Sequence, residues 1–311
     1  MLGSRTNVRD LVKLIMGFGG TIGIVTFFGL ILAVYFRDTF DPDTIKGKRV
    51  VITGSSTGIG EQLAYEYSKL GARVLITARR EKVLQEVVSK CKELGATEAF
   101  YIPLDMSNKS DTEKLIQEAE TRFGGLDHLI MNHIASNYLQ LWNGDWDRYQ
   151  QVMDVNLKAY VSLATSATPL LNKSKGSIAV LSSVAGKIGV PFSALYSCSK
   201  FALSGFFNAY RLELGLQEMD ISITEFIIGS IDTKNAKEYS KAVFDENIFS
   251  TSATDTAHRI MKGTQERERI VYYPAYAFAY TVFRDILPGM TDKLLLASIK
   301  TDAVETVSKK P

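Results

Sequence analysis

The sequence predicts an α/β fold, a doubly wound parallel sheet with helices on both faces. Short segments rich in Val and Ile alternate along the chain with amphipathic segments. The Val- and Ile-rich segments are apolar almost without interruption, which is typical of strands buried on both faces. Strands that alternate with helices form βαβ units, and these units build a parallel sheet.

The predicted elements follow one another over residues 46–274. Strands are predicted over 49–54, 73–78, 98–104, 126–132, 176–183, 221–228 and 269–274. Helices are predicted over 61–71, 81–95 and 110–124, because apolar residues recur there three and four positions apart and each segment ends near a glycine. A further helix is predicted over 195–207.

The two ends of the chain differ from this region. Residues 14–36 carry no charge and, at about 1.5 Å per residue, can cross a hydrocarbon layer of roughly 30 Å as a transmembrane helix. A short tail, 1–13, precedes this predicted anchor, and a polar linker, 37–45, follows it; a buried core helix is the alternative. Residues 275–311 are predicted to be helical and to lie at the membrane interface, at a dimer contact or over the site.

Composition excludes several classes of protein. With 36 basic and 34 acidic residues and a net charge of +2, the chain lacks the broad basic surface of a nucleic-acid-binding protein. Two cysteines exclude a disulfide scaffold and a Cys-rich zinc site. The three histidines are too scattered for a metal-ligand motif, so no metal is predicted.

A glycine-rich turn follows the first predicted strand and precedes a helix. Its residues are Gly54, Ser55, Ser56, Thr57, Gly58, Ile59 and Gly60. Backbone N–H groups at such a turn, together with the helix dipole, can bind a phosphate. The second strand then ends in Arg79 and Arg80, where an NAD-binding domain would place an acidic residue. Two arginines suit a 2′-phosphate, which predicts NADP(H); a solvated arginine pair is the alternative.

Three polar residues lie at the end of the fifth predicted strand and in the helix that follows it. Ser183 lies at its carboxyl end, where ligands bind in open α/β sheets, and Tyr196 and Lys200 share one face of the next helix. A phenol with a pKa of about 10 becomes a useful acid or base when a nearby ammonium stabilises its phenolate. The pattern predicts proton transfer to or from a carbinol oxygen.

From about Lys46 to Pro274 the chain resembles the short-chain dehydrogenase/reductases, whose catalytic domains have the Rossmann architecture. The matching motifs are Thr53-Gly54-x-x-x-Gly58-Ile59-Gly60, Asn132, Asn156, Ser183 and Tyr196-x-x-x-Lys200. Within the family it is similar to the membrane-anchored 11β-hydroxysteroid dehydrogenase type 1 and type 1-like group. The resemblance implies an NADP(H)-dependent oxidoreductase that interconverts a ketone and a secondary alcohol.

The resemblance also implies roles for individual residues. Tyr196 is the implied acid/base, Lys200 holds the ribose and lowers the tyrosine pKa, Ser183 polarises the substrate oxygen, and Asn156 supports a proton-relay water. The implied cofactor contacts beyond the glycine turn and the arginines are Asp105, Met106, Asn132, His133, Ile134, Ile231 and Thr233. The implied substrate contacts are Ser183, Val184, Val190 and Tyr196.

Two residues depart from the pattern of the steroid enzymes. Thr57 stands where many NADP-dependent members have a basic residue, and Val190 stands where the steroid enzymes often carry an aromatic residue. A steroid remains the first expectation for the substrate, with a retinoid, a sphingoid ketone or a xenobiotic carbonyl as alternatives. A non-catalytic, cofactor-binding membrane protein is the alternative from another class.

The resemblance further implies a homodimer anchored in the endoplasmic reticulum membrane by a single span, with a lumenal catalytic domain. Asn108 and Asn172 begin glycosylation sequons on predicted exposed turns. Residues 234–256 are polar and irregular and are predicted to form a lid over the substrate.

Overall fold

The computed structural model describes residues 40–135, 139–233, 243 and 250–308. The predicted tail and membrane anchor lie outside these residues and stay predictions. Among the residues described, no helix combines the length and the apolar character needed to span a bilayer. Two compact units divide the chain, one up to Phe40 and one from Asp41 onward, and the second contains the elements described below.

The second unit is built on a seven-stranded parallel sheet with the strand order β3-β2-β1-β4-β5-β6-β9. Its strands are β1 Arg49–Thr53, β2 Arg73–Ala78, β3 Glu98–Pro103, β4 His128–Met131, β5 Ser177–Leu181, β6 Ser222–Ile228 and β9 Ile270–Tyr273. These confirm the seven predicted strands, with ends that differ by at most two residues. The strand order reverses between β1 and β4, and such a switch point opens a crevice at the carboxyl ends of the strands.

A short pair of strands lies beside this sheet, β7 Ile231–Asp232 and β8 Thr251–Ser252. The helices are α1 Gly58–Lys69, α2 Glu81–Glu93, α3 Lys109–Phe123, α4 Trp146–Met153, α5 Ala159–Ser174, α6 Ala194–Leu216, α7 Ala253–Gln265, α8 Tyr276–Ile286, α9 Pro288–Ala297 and α10 Ala303–Ser308. All four helices predicted within 46–274 are confirmed, and α6 continues beyond the predicted end at 207.

Burial explains why the strand sequences are apolar almost without interruption. All five residues of β5 are buried, as are all four of β4. The side chains of α3 and α5 join those of the central strands in one hydrophobic cluster. The sheet is therefore a rigid platform, and the residues that follow its strands are held in fixed positions at its carboxyl edge.

The fold begins earlier than the predicted domain boundary at Lys46. A 3₁₀ helix spans Pro42–Ile45, and Asp41 caps it by accepting a hydrogen bond from the Asp43 backbone. Ile45 is completely buried. The end of the predicted linker therefore belongs to the folded unit, because an apolar side chain in it contributes to the core.

Within residues 275–308 the structure has the three helices α8, α9 and α10, and α10 packs against Phe192. Ala303 and Val307 of α10 form a buried cluster with Phe192 and Val243. Helices α8 and α9 expose large apolar side chains at Phe278, Ile286, Met290, Leu294 and Leu296. Of the three predicted placements of this segment, the contacts of α10 support packing next to the site.

Two further expectations need correction. The segment 234–256 is predicted to be irregular, but Ser252 caps α7 and regular helix begins at Ala253. Residues 234–242 and 244–249 lie outside the described part of the chain, and the lid stays a prediction. Asn172 lies in the last turn of α5 rather than in a loop, since its apolar neighbours extend the helix. Its side chain is exposed, and Asn108 lies on an exposed turn as predicted.

Candidate active site

The structure brings together the four residues expected to carry catalysis. Ser183 follows β5, while Tyr196 and Lys200 occupy the first two turns of α6. Asn156 lies in a π-helical segment, Asp154–Lys158, between α4 and α5. Such segments often mark functional sites, because they turn a side chain away from the regular helix face.

Lys200 is buried, with 1 % of its surface exposed. Its ammonium donates a hydrogen bond of 2.6 Å to the carbonyl oxygen of Leu181, the last residue of β5. It also faces the rings of Tyr160 and Tyr196, at 5.3 Å and 5.7 Å from their centres. Burial lowers the pKa of Lys200 from 10.5 to about 7, against an opposing effect of Glu225. Near neutral pH this side chain can therefore gain or lose a proton.

Of the two tyrosines beside Lys200, only Tyr196 faces the cleft described below. Tyr160 is completely buried, and its hydroxyl donates to the backbone carbonyl of His133 at 2.8 Å. Tyr196 is half-buried. Burial raises the pKa of its phenol, and a hydrogen bond with Ser183 acts in the opposite direction. Tyr196 is thus a protonated phenol that a substrate can reach.

The side chains of Ser183 and Asn156 are held by the surrounding backbone. The Ser183 hydroxyl accepts a hydrogen bond from the Ala185 N–H at 3.1 Å and so caps the 3₁₀ helix Val184–Gly186. Asn156 accepts from the Ala135 N–H at 2.7 Å and donates to the Ser199 hydroxyl at 3.0 Å. The amide of Asn156 therefore has a structural role, because it joins the loop after β4 to α6, and it also lies beside the site.

The glycine turn between β1 and α1 is shaped for close approach of a ligand. Gly54 and Gly58 have φ values of +67° and +64°, in the left-handed region that favours glycine. A Cβ on Gly60 would lie 2.4 Å from the Gly54 carbonyl oxygen. Thr57 precedes α1 but forms no side-chain capping hydrogen bond, so it leaves the first-turn N–H groups to other acceptors. These features fit the phosphates of a dinucleotide.

Side chains after β4 brace this turn from behind. Asn132 donates from its amide to the carbonyl oxygens of Thr53 and Gly54, both at 3.2 Å. The His133 ring is buried, with one nitrogen 2.8 Å from the Thr53 hydroxyl and the other 3.1 Å from the Val155 carbonyl oxygen. Burial lowers the pKa of His133 to about 3, so the ring is neutral. Only the backbone of His133 can face a cofactor.

The two arginines after β2 have different surroundings. Arg80 donates to the backbone oxygen of Ser56 at 3.2 Å and to its hydroxyl at 3.0 Å, so it is tied to the glycine turn. Arg79 is exposed, and within the described part of the chain its guanidinium has no protein acceptor. Arg79 is therefore the arginine that can turn to an anionic group without losing protein hydrogen bonds.

The predicted adenine contacts after β3 are partly occupied by structure. The Asp105 carboxylate accepts from the Ser107 N–H at 2.9 Å and so forms an Asx turn. The Met106 side chain is buried in the main hydrophobic cluster. Met106 can therefore meet a cofactor through its backbone only.

The remaining predicted cofactor contacts lie around the same crevice. Ile231 is buried in β7, and the side chain of Thr233 approaches the glycine turn, since a Cβ on Gly58 would lie 3.2 Å from the Thr233 methyl. Ile134 is largely exposed after β4. The structure thus places Thr233 next to Gly58, although the two are far apart in sequence.

An open cleft leads to Tyr196 and Asn156. Sequence reasoning missed most of its walls, which include Leu141, Trp142, Arg148, Phe192 and Leu195. Of the four predicted substrate contacts, Tyr196 lines it, whereas Ser183, Val184 and Val190 are half-buried but do not line it. No motif marks the actual lining, because these residues come from the segments around α4 and α6.

Phe192 has a backbone conformation that bulky residues rarely adopt, with a φ of +62°. Its carbonyl oxygen accepts from the Gln140 N–H at 2.8 Å, and its ring packs against α10. The C-terminal helix thereby helps to hold one wall of the cleft. In the sequence, Gly189 and Pro191 indicate a turn in this loop, but they do not identify the residue that adopts a positive φ.

Comparison with known proteins gives the family. The model of the family described as short chain dehydrogenase matches residues 48–243. This protein belongs to the short-chain dehydrogenase family. It is 46 % identical over 257 residues to a hydroxysteroid 11-beta-dehydrogenase 1-like protein of Danio rerio, covering 83 % of this chain and 89 % of the relative. A Gallus gallus protein of the same description is 46 % identical over 258 residues, covering 83 % and 89 %. This short-chain dehydrogenase is therefore an oxidoreductase, similar to the type 1-like group.

Solved structures of more distant proteins share the fold. A short chain dehydrogenase/reductase from Burkholderia phymatum, solved in complex with NAD, has a TM-score of 0.70 at 20 % identity, covering 79 % of this chain and 95 % of that one. An alcohol dehydrogenase from Thermococcus sibiricus, complexed with 5-hydroxy-NADP, has a TM-score of 0.64 at 21 % identity, covering 73 % and 95 %. At these identities the likeness concerns the fold alone.

Proposed function

We propose that this short-chain dehydrogenase is an NADP(H)-dependent enzyme that interconverts a ketone and a secondary alcohol on a lipophilic substrate. The observation that carries the proposal is the position of the Tyr196 phenol, which faces the cleft beside Ser183 and the buried ammonium of Lys200. A proton donor, a hydroxyl that can polarise an oxygen and a cation lie together there.

The residues divide the work of reduction among them. A bound nicotinamide cofactor would supply the hydride. Ser183 donates a hydrogen bond to the carbonyl oxygen, and Tyr196 transfers its proton to the same oxygen as the negative charge develops. Lys200 stabilises the resulting phenolate, because a cation near an anion favours the charged form. In the oxidative direction the same residues act in reverse, with the Tyr196 phenolate accepting the proton.

The cofactor is proposed to be NADP(H) rather than NAD(H). Arg79 and Arg80 follow β2 at the place where a ribose 2′ group lies in such folds, and Arg79 is exposed there. A guanidinium can bind a phosphate through two parallel hydrogen bonds. Thr57 adds no positive charge to the glycine turn, so the preference depends on the arginines.

A steroid is the first candidate for the substrate. The relatives described as hydroxysteroid 11-beta-dehydrogenase 1-like proteins support it, and so does the partly apolar cleft beside Tyr196. Anchoring by residues 14–36, a lumenal catalytic domain in the endoplasmic reticulum and a homodimer are part of the same proposal. They rest on the apolar N-terminal segment and on the resemblance to the membrane-anchored group.

The proposal is tested by NADPH oxidation with the full chain against ketosteroids, retinals, sphingoid ketones and small xenobiotic carbonyls. Wild type is expected to reduce at least one of them, and Tyr196→Phe to lose roughly 100-fold or more of the activity. Tyr210→Phe is the matched control, because Tyr210 lies on the same helix and its hydroxyl bonds to Thr168 instead. Equal turnover by wild type and Tyr196→Phe would exclude the proposed chemistry.

A non-catalytic role is distinguished by the same experiment. Cofactor binding, followed by nicotinamide fluorescence, is expected in wild type and in both variants. Binding without turnover of any carbonyl by wild type would favour the alternative of a cofactor-binding membrane protein.

A further inference from the structure

A buried carboxylate lies on β6, close behind the candidate active site. Glu225 is only 2 % exposed, because it lies in the middle of β6, which is flanked by β5 on one side and β9 on the other. A buried charge is costly unless it is paired and hydrogen-bonded. The role proposed for the four active-site residues does not account for this glutamate.

Glu225 is held by two polar side chains. The Ser204 hydroxyl donates a short hydrogen bond to one carboxylate oxygen of Glu225. The Lys187 ammonium lies 3.5 Å from the other oxygen and 3.1 Å from the Ser204 hydroxyl. The three residues form a closed group, here called the Glu225 triad.

The Glu225 triad joins the elements that carry the active site. Lys187 comes directly after the 3₁₀ helix that Ser183 caps, and Ser204 lies one helical turn beyond Lys200 on α6. This turn and helix also touch directly, since a Cβ on Gly186 would lie 2.9 Å from the Lys200 Cβ. Any shift of Lys187 or Ser204 would therefore change the distance between Ser183 and the Tyr196 helix.

The charge of Glu225 also acts on Lys200. Among the residues that the structure describes, Glu225 is the carboxylate whose charge opposes the loss of the Lys200 proton, and no carboxylate reaches ion-pair distance of that ammonium. The other groups facing Lys200 are the phenols of Tyr160 and Tyr196 and the neutral ring of His133. The protonated phenols and the neutral imidazole carry no negative charge.

Two further cations share the field of Glu225. Lys187 pairs with it directly, and Arg211 of α6, whose guanidinium binds the Ile223 carbonyl, feels its charge as well. On the neighbouring strands the register partners of Glu225 are Val180 and Ile270, which carry no charge. Lys187 therefore places a positive charge beside the same carboxylate whose charge opposes the loss of the Lys200 proton.

We propose that Glu225 is a positioning residue for this oxidoreductase, which locks the Ser183 turn onto α6 through Lys187 and Ser204 and keeps Lys200 in its ammonium form. The inference rests on the proposed function, because it concerns a residue that acts through Lys200. The proposed effect on the protonation of Lys200 depends on the negative sign of the Glu225 charge, whereas a purely packing role of Glu225 would not depend on that sign.

The test compares Glu225→Gln with Lys187→Met in the full chain. Glu225→Gln keeps the shape and can still accept from Ser204, but it removes the negative charge, so Lys200 should lose its proton at lower pH. Lys187→Met removes the positive charge beside Glu225, so Lys200 should keep its proton to higher pH. We expect shifts of opposite sign, each on the order of half a pH unit or more.

The readout that needs no turnover is competitive acetylation by acetic anhydride, with the Lys200 peptide quantified by mass spectrometry across pH 5 to 11 at roughly unit steps. The second readout is the pH profile of kcat/KM, whose descending limb should move in the same direction as the acetylation profile. Glu66→Gln is the control, since Glu66 is also buried and pairs with Lys69 but does not act on Lys200.

The outcomes separate the inference from the proposed function. Unchanged Lys200 profiles in both folded variants, or shifts of the same sign, would overturn the inference even if the wild type is active. Opposite shifts in acetylation with no carbonyl turnover by wild type would overturn the proposed function and leave the coupling of Glu225 to Lys200 intact. If Glu225→Gln does not fold, the Lys187→Met variant alone tests the inference. An upward shift of its Lys200 acetylation profile supports the inference, and the absence of that shift overturns it.

Discussion

The Lys200 ammonium lies 5.7 Å from the centre of the Tyr196 ring while it donates a 2.6 Å hydrogen bond to the Leu181 carbonyl. The hydrogen bond fixes the cation to the end of β5, and the helix that carries both residues fixes it next to the phenol. A buried cation in this position stabilises the phenolate, but its own burial disfavours its charged form. The two effects give the site a measurable dependence on pH.

The stability of the folded chain is expected to report the burial of Lys200. Its pKa is lowered to about 7 in the folded state, so between about pH 7 and 10.5 the unfolded chain binds more protons and stability rises with pH. Lys200→Met should therefore raise the free energy of unfolding most below pH 7, by up to roughly 5 kcal/mol, and the gain should shrink toward pH 10. Urea unfolding at several pH values measures this difference, and a gain independent of pH would contradict it.

A side chain at Gly60 is expected to damage the glycine turn. The new Cβ of Gly60→Ala would lie 2.4 Å from the Gly54 carbonyl oxygen and 2.6 Å from the Asn132 amide nitrogen. We expect a loss of about 1–3 kcal/mol in the free energy of unfolding, together with weaker cofactor binding.

The matched control for Gly60→Ala is Gly205→Ala, since apart from its own helix backbone no described atom lies within 4 Å of the Cβ position of this exposed glycine in α6. This control should gain about 0.5–1 kcal/mol, because alanine favours helix. Chemical unfolding and cofactor titration measure both variants. Equal stability of the two would argue against the close packing of the turn.

The two arginines after β2 are expected to contribute differently to cofactor choice. Arg79→Ala should weaken NADPH binding by roughly 10- to 100-fold and leave NADH binding nearly unchanged, since it removes a charge-assisted contact to the 2′-phosphate alone. Arg80→Ala should weaken both, because Arg80 also holds Ser56 in the glycine turn. Fluorescence titrations with both cofactors test this, and an equal loss for both in Arg79→Ala would exclude Arg79 as the source of the preference.

The aromatic wall of the cleft is expected to matter for bulky substrates. Trp142 is 47 % exposed and lines the cleft, whereas Trp146 is 69 % exposed, does not line it, and packs against Trp142 and Tyr149 at 5.7 Å and 5.5 Å between ring centres. Trp142→Ala should raise KM for a ketosteroid by about tenfold, from lost apolar contact, and change KM for a small carbonyl little. Trp146→Ala is the matched control, and a larger effect in it would place the substrate elsewhere.

Much of this architecture can be read from local sequence. The strands of the large sheet are mostly apolar and buried, and their partners on both faces are helices with the complementary period, so the fold follows from burial. The glycine turn and the pair Tyr196 and Lys200 are equally local, since each needs only a fixed spacing on one element. That is why their positions agree with the structure.

Where a predicted site residue points could not be read in the same way. The sequence indicates His133 and Met106 as cofactor contacts, but the structure turns the first side chain onto Thr53 and the second into the core. Neighbouring elements determine these orientations, because a buried polar group needs partners and an apolar group needs to leave water.

By itself, then, the sequence determined the parallel sheet, the phosphate-type glycine turn and the spacing of Ser183, Tyr196 and Lys200. The tertiary structure alone decided that Glu225 lies behind Lys200 with Lys187 and Ser204, and that Phe192 and Trp142 form walls of the cleft. The physical reason is the separation in sequence over which each interaction acts. Periodicity and spacing record how a segment is buried, whereas the pairing of charges and the walls of a cleft depend on which segments the strand order brings together.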